Sequence, residues 1–344
     1  MKAPRSLDVL SVEGFKSLRR VEELQFRALN VIIGANGAGK SNLVSLFRLL
    51  ADLVEGRLQY SVAKAGGPEA LLHLGSKVTP SLSARFGFGT NGYGFQLEPT
   101  ATNQLIFTDE AIYWRGDFYK VAPNRQATSI GRGHQESKLR EVFDADQNAR
   151  GKGVVSYVYP SVRGWIVYHF HDTSETAGLK RRQDLADSMR LAIPFFDDFE
   201  VDPLLDNPSQ TELRWRQTSS DYRFHASQLS DGTLRFICLA TALLQPFPPP
   251  TLIVDEPELG LHPYALTLLA GLVKQACTRT QVVLCTQSAQ LLSEFTAEDV
   301  IVARHEDGAS HFDRLDAASL ASWLEDYTLG ELWQKNLLGG RPSR

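Results

Sequence analysis

"LNVIIGANGAGKSNL" (residues 29–43) decides how the rest of the chain is read. An apolar, β-branched run, "LNVII", leads into it. "SNLVSLFRLLADLVEGR" leads out, with Leu43, Leu46, Phe47, Leu50, Leu53 and Val54 at helical spacing up to Gly56. The order is therefore strand, glycine-rich loop, helix. Within the loop, Gly34, Gly39, Lys40 and Ser41 satisfy G-x-x-x-x-G-K-[ST]. Glycines let successive backbone N–H groups turn inward around a phosphate, and the following helix adds its positive N-terminal end. Lys40 would neutralise β- and γ-phosphates, and the Ser41 hydroxyl would ligate Mg²⁺. Gly37, Ala38 and Asn42 belong to the same phosphate-binding turn. A coincidental glycine turn rarely has both flanks, so binding of a nucleotide, ATP with Mg²⁺, is expected.

Such a loop needs acidic partners, and "TLIVDEPELGLHP" (251–263) supplies them after three apolar strand residues. Asp255 would hold Mg²⁺, usually through water, and Glu256 would orient and polarise the attacking water. A lone Asp-Glu pair after a strand is ordinarily a solvated strand end; beside a phosphate loop it reads as catalytic. In "QLSDGTLRFICLATALL" (228–244), Ser230 and Gly232 stand where a helix begins. The plain reading is a helix N-cap. Upstream of an acidic strand, the same stretch resembles the ABC signature L-S-x-G, which binds the γ-phosphate of ATP held by the other subunit. "VVLCTQSAQLL" (282–292) places Thr286, Gln287 and Ser288 at the end of a further strand. ABC proteins usually carry histidine at the position of Gln287. An amide still donates a hydrogen bond to phosphate but carries no charge, so slow turnover is expected.

These stretches together resemble the stand-alone RecF/SMC-like branch of ABC-type ATPases, often labelled AAA family ATPases. "LSVEGFKSL" resembles that group's N-terminal strand segment, and the closing "DYTLGELWQKNLLGG" resembles the C-terminal signature of a small bacterial subgroup. The likeness covers about half the chain, at its two ends. It implies an α/β fold: a P-loop NTPase, ABC-type head with an antiparallel β-rich lobe and an inserted α/β segment. It also implies a homodimer that sandwiches two ATP molecules, with Asn36 contacting nucleotide and Leu261–His262 in an inter-subunit loop. The family's work implies DNA-associated repair or anti-phage defence. No sustained heptads mark a coiled-coil arm, and about 50 residues after the last ATPase strand are too few for a toprim domain. A nuclease or other effector would be a separate chain.

Composition frames these readings. The chain has 344 residues, of which 43% are hydrophobic and 22% charged, enough for a sizeable core. A net charge of −4 argues against non-specific coating of nucleic acid, though local basic patches leave DNA contact open. "KRRQ" (180–183), "RWR" (214–216) and "RGHQESKLR" (132–140) are candidates, each more simply a solvated surface. No apolar run approaches the roughly 20 residues of a membrane span. The N-terminus lacks a secretory pattern, so a cytoplasmic location and no membrane partner are expected. The three cysteines, Cys238, Cys277 and Cys285, lack metal-ligand spacing and read as buried thiols.

The domain division expected is a discontinuous core, 1–59 with 225–344, and an inserted lobe, 60–224. Between 60 and 170, stretches such as "SLSARFGFGTNGYGFQLEP" and "GWIVYHF" read as antiparallel strands around Gly and Asn turns. The tail after residue 315 reads as mostly amphipathic helix, with Trp323 and Trp333 on a buried face. His169, His171 and Asp172 offer a weak metal pattern without an obvious further ligand. Phe195–Phe196 read either as core anchors or as an interface.

Other outputs fit the same motifs less well. An ATP-gated scaffold with negligible turnover suits Gln287. A transporter subunit is disfavoured by the 60–170 insertion. A GTPase is disfavoured by the absence of N-K-x-D.

Overall fold

The computed structural model describes residues 5–114, 127–149, 153–169, 182–204 and 207–340. The N-terminal half holds β1 (Val9–Phe15), β2 (Leu18–Gln25), β3 (Leu29–Ile33), α1 (Lys40–Val54), α2 (Leu58–Ala65), α3 (Pro68–Leu71), β4 (Leu82–Phe88), β5 (Asn91–Pro99), β6 (Leu105–Trp114) and β7 (Ala127–Gly131). There follow α4 (Leu139–Ala149), α5 (Val155–Arg163), β8 (Ile166–His169), α6 (Arg182–Ala192), β9 (Phe196–Leu204), β10 (Asn207–Gln217) and β11 (Ser220–His225). The C-terminal part holds α7 (Asp231–Leu244), β12 (Thr251–Asp255), α8 (Pro263–Ala276), β13 (Gln281–Cys285), α9 (Ala289–Leu292), β14 (Val300–Glu306), β15 (Ala309–Arg314), α10 (Ala317–Leu320) and α11 (Leu329–Gln334).

Three sheets result, in the orders β2-β1-β4-β5-β6-β7, β11-β10-β9 and β15-β14-β3-β13-β12-β8. The third is parallel except for β15, which returns antiparallel along β14 through the Asp307–Gly308 turn. Its strands β3, β12 and β13 are buried at every position, as expected for a sheet covered on both faces. Alternation along the strands divides their side chains between two cores. Ile32, Ile253, Val283 and Ile301 join the core that contains α1 and the antiparallel sheet. Val31, Ile33, Val254, Leu284 and Val302 join the other, which contains α7 and α8. On the first side, Trp165 touches Phe47 of α1 edge-on at 5.2 Å and Phe86 of β4 at 5.7 Å, joining helix, sheet and the start of β8.

A buried amide ties the chain start to the parallel sheet. Gln281 accepts from Leu7 N–H and the Thr251 hydroxyl, and its Nε2 donates to the carbonyls of Leu7 and Arg27. All four of its bonding positions are used, which is what burying a primary amide requires.

Two sequence-based expectations differ from this fold. "GWIVYHF" was expected as an antiparallel strand, but β8 runs parallel to β12 at the edge of the nucleotide-side sheet. The connection from β8 to β12 is long and contains α6, β9–β11 and α7, as a parallel pairing requires. The tail forms two short helices joined by turns rather than one amphipathic helix. Trp333 is buried there, but Trp323 is 45% exposed. Of the pair Phe195–Phe196, Phe196 is core and Phe195 is half exposed against Trp215. The N-terminal strands β1 and β2 share a sheet with β4–β7, so the 60–170 stretch and the chain start build one layer.

Candidate nucleotide site

The phosphate loop leaves β3 in the middle of the parallel sheet, between β13 and β14. Gly39 has φ +103, and a Cβ there would lie 2.1 Å from Ser310 Oγ and 3.0 Å from Ser17 Oγ. Only glycine satisfies both the left-handed backbone and that approach. The two serines belong to a brace outside the loop. Ser310 Oγ donates to Ser17 Oγ at 2.7 Å, and Asn42 Nδ2 donates to the same Ser17 oxygen at 2.7 Å. The first turn of α1 is thereby fixed to the β1–β2 turn and to β15. Asn36, Gly37 and Ser41 are exposed at the loop's mouth, while Ala38 is buried beneath it.

Lys40 is 5% exposed, and its ammonium donates to the carbonyls of Gly34 at 2.6 Å and Ala35 at 3.1 Å. Burial pushes its pKa below the ordinary lysine value. The neighbouring Cys285, Glu256, Asp255 and Glu258 act in the opposite sense. Those opposing influences place the loop lysine and three carboxylates in one electrostatic environment. This is the arrangement in which a phosphate chain would lie between the cation and a metal-bearing acid.

Asp255 ends β12, is 3% exposed and pairs in register with Cys285 of β13. Glu256 follows with φ +49, uncommon for a residue with a side chain, and its N–H is fixed to the Cys285 carbonyl at 2.9 Å. That turn swings the Glu256 carboxylate away from the strand and toward the end of β13. There the Gln287 side-chain amide donates to Glu256 Oε1 at 2.7 Å, and the Gln287 backbone N–H donates to Glu258 Oε1 at 2.6 Å. Thr286, fully buried, donates its N–H to the Ile32 carbonyl and so registers this loop against β3.

Glu258 was not singled out by its position in the sequence. Burial pushes its carboxyl above the ordinary range, and its Oε2 is buried without a hydrogen-bond partner. Its only sequence signal is a second acid two residues past Glu256, which reads as loop surface until the return of β13 is known.

Among the described residues, no group of three or more His, Cys, Asp or Glu side chains forms a metal site by itself. The oxygen chemistry of Ser41 and Asp255 nonetheless suits Mg²⁺, which commonly takes most of its ligands from phosphates and water. His171 and Asp172 lie outside the described residues.

Ser230 caps α7: its Oγ accepts from Thr233 N–H at 3.2 Å and lies 2.9 Å from the Thr233 hydroxyl. Gly232 is required by space, since a Cβ would lie 2.0 Å from the Gly260 carbonyl. Arg235 donates from the same helix to the Leu259 carbonyl at 2.9 Å. The start of α7 is thus clasped to the loop that carries Glu256 and Glu258. His262 caps α8, accepting from Tyr264 N–H.

A glycine-rich phosphate loop, an acid-terminated strand and a polar switch residue, all at the ends of one parallel sheet, define a P-loop NTPase with an ABC-type head fold. Residues 29–293 match the family described as "AAA domain, putative AbiEii toxin, Type IV TA system", and the chain belongs to that family. It carries an AAA domain, and its fold is that of SMC heads. An SMC head bound to the C-winged helix domain of ScpA is 16% identical, with a TM-score of 0.63, over 92% of this chain and 99% of that one. The SMC head domain from Thermotoga maritima is 17% identical, with a TM-score of 0.52, over 90% and 99%. A Pyrococcus furiosus SMC head with an extended coiled coil, bound to the C-terminal domain of ScpA, is 14% identical, with a TM-score of 0.56, over 93% and 99%. At these identities the likeness is one of fold. No curated protein matches the sequence. No helix among the described residues is long and apolar enough to cross a membrane.

Two of the basic stretches are neutralised locally. Arg216 pairs with Asp197 and Glu200, and Arg132 pairs with Asp109. Lys180 and Arg181 lie outside the described residues.

Proposed function

We propose that the chain binds ATP·Mg²⁺ between the phosphate loop and the ends of β12 and β13, and hydrolyses it. The observation that carries this reading is the buried Lys40 ammonium, held at the loop and surrounded by Asp255, Glu256 and Glu258. Lys40, the loop N–H groups of Gly37 and Gly39 and the Ser41 hydroxyl would hold the phosphates and Mg²⁺, with Asp255 on the metal side. Glu256 accepts the proton of a water whose oxygen attacks the γ-phosphorus. The bond to the β–γ bridging oxygen breaks, and ADP and phosphate leave. Gln287 fixes the Glu256 carboxylate through its amide. Because that amide is neutral, it supplies no charge to the transition state, in keeping with slow turnover.

Two copies would close head to head, each presenting Ser230 and Gly232 to the nucleotide held by the other. The exposed Ser230 hydroxyl and the α7 N-terminus support this reading, and mutual completion of two sites favours a two-fold dimer. Contacts that exist with ATP and not with ADP would drive closure and release. The RecF-like opening supports a role in DNA repair or anti-phage defence with a separately encoded effector, while the family description names a putative AbiEii toxin of a type IV TA system. A non-hydrolysing scaffold is the second reading, favoured by the Gln287 amide already being committed to Glu256.

Light scattering of Glu256→Gln with and without ATP·Mg²⁺ tests the dimer. A monomer that doubles in mass on adding ATP, and fails to do so with Ser230→Arg, is expected. A mass unchanged while ATP is bound would remove the ATP-closed dimer. A stoichiometric burst without steady-state turnover in the wild-type chain would favour the scaffold.

A further inference from the structure

The C-terminal segment reaches the phosphate loop. Ala35, the second residue of that loop, donates its N–H to the Gly340 carbonyl at 2.7 Å. Gly340 lies on the middle of β14 and on the loop together. A Cβ there would be 2.9 Å from Val302 Cγ1, 3.3 Å from the Ala303 carbonyl and 3.5 Å from Gly34 Cα. Gly339 and Gly340 have φ of +75 and +79, a left-handed pair that turns the chain onto the loop. Leu338, just before them, is buried in the core shared with α7 and α8.

The same segment is anchored behind the switch loop. In α11, Leu329, Leu332 and Trp333 are buried, and Thr328 and Glu331 form a reciprocal cap at its start. Gly330 N–H donates to Ser293 Oγ, and that serine ends α9. Helix α9 in turn begins at Ser288, the residue after Gln287. One short stretch, 329–340, therefore spans from the helix behind Gln287 to the entrance of the phosphate loop.

We propose that residues 329–340 are a clasp belonging to the nucleotide site, in which Gly340 positions the phosphate loop through Ala35. This rests on the ATP-binding reading above. The Ala35 N–H is the loop's first amide after Gly34. Ala38 N–H is likewise committed, to the Ala35 carbonyl at 3.1 Å, so the amides of Gly37, Gly39, Lys40 and Ser41 are the ones left to face a phosphate. Gly340 is a positioning residue: it touches the loop, not the ligand. The ligand class affected is the polyphosphate of a nucleotide.

The test compares two glycines under equal backbone strain in the full-length chain. Gly56 ends α1 with φ +71, and a Cβ there would meet nothing within 4 Å. Gly340→Val and Gly56→Val both force a β-branched residue into the left-handed region, a strain of similar size at both sites. Only Gly340→Val adds atoms against the loop. ATP·Mg²⁺ affinity is measured by calorimetry, alongside amide exchange of residues 34–41 and the thermal midpoint. The clasp predicts about tenfold or greater weakening of ATP binding in Gly340→Val, with faster exchange at Ala35. Gly56→Val should bind ATP like wild type. Unchanged or tighter ATP binding by Gly340→Val, at a thermal midpoint close to that of Gly56→Val, overturns the clasp. If Gly340→Val does not fold, Ala35 exchange in the wild-type chain decides: protection supports the Gly340 bond, and fast exchange overturns it. Failure of the wild-type chain itself to bind ATP would instead refute the nucleotide reading.

Discussion

Two acidic clusters sit under the two halves of the molecule, and they are built differently. In the antiparallel lobe, the fully buried Glu110 of β6 accepts from the Tyr93 hydroxyl at 2.7 Å, His134 Nε2 at 2.9 Å, the Ser137 hydroxyl and Lys138 N–H at 3.0 Å. His134 also stacks on Phe107 at 4.6 Å. Both Glu110 oxygens are used, and the cluster pins the chain between β7 and α4 onto the sheet. At the ends of β12 and β13, Gln287 bonds both Glu256 and Glu258, the Thr286 side chain also acts on Glu258, and Glu258 Oε2 has no close hydrogen-bond partner. A carboxylate with both oxygens bonded gives its bonding capacity to stability, even though His134 Nδ1 beside it is buried without a partner. An open one beside a buried lysine keeps capacity for something that binds. The contrast marks Glu110 as structural and is consistent with the role proposed for Glu256.

Glu256→Gln should break the functional side most severely. An amide accepts no proton from water, so steady-state phosphate release is expected to fall by about a hundredfold or more while ATP still binds. Wild-type release would remove Glu256 from the chemistry. On the other side, Glu110→Ala leaves Tyr93, His134 and Ser137 facing an empty, buried acceptor position. Chemical denaturation should show a loss of about 3 kcal/mol, with ATP affinity per folded molecule unchanged. A selective loss of ATP affinity instead would mean the lobe is part of the nucleotide site. Gln287→Ala, which releases Glu256 without removing it, is expected to lower turnover by about tenfold. No change in the rate would make that amide incidental.

The smallest effect concerns pH. Burial raises the Glu258 carboxyl above its ordinary 4.5, so the folded chain keeps that proton to a higher pH than the unfolded chain. The associated stability is complete below about 4.5 and is lost as pH rises through the raised value. Glu258→Gln keeps an acceptor for the Gln287 N–H but cannot ionise. Its denaturation free energy should therefore fall less than the wild type's as pH rises from about 4.5 toward neutrality. Parallel pH profiles would show that Glu258 does not titrate in this window.

Where function depends on backbone and on contiguous residues, the sequence is legible. "GANGAGKS" announces the phosphate loop because its glycines and lysine act within eight neighbouring positions, and "LIVDE" ends a strand whose three consecutive apolar residues can only be buried. Glu258, Ser17, Ser310 and Gly340 were not legible, because each acquires meaning from a neighbour brought by the fold. Ser17 and Ser310 are 293 positions apart yet share a hydrogen bond. β8 misled because a short apolar strand does not reveal its direction; its partner β12 lies more than 80 residues further on, across α6 and α7. Ser230 remains double in meaning: its geometry within one chain is that of a helix cap, and a second role would need a second copy.

Calorimetric titration of ATP·Mg²⁺ into Glu256→Gln, repeated with Lys40→Ala added, reads the nucleotide site with hydrolysis suppressed. Saturable binding that disappears with Lys40→Ala is the expected result. Absence of binding in Glu256→Gln, or binding that persists undiminished without Lys40, would contradict a nucleotide held between this loop and these carboxylates.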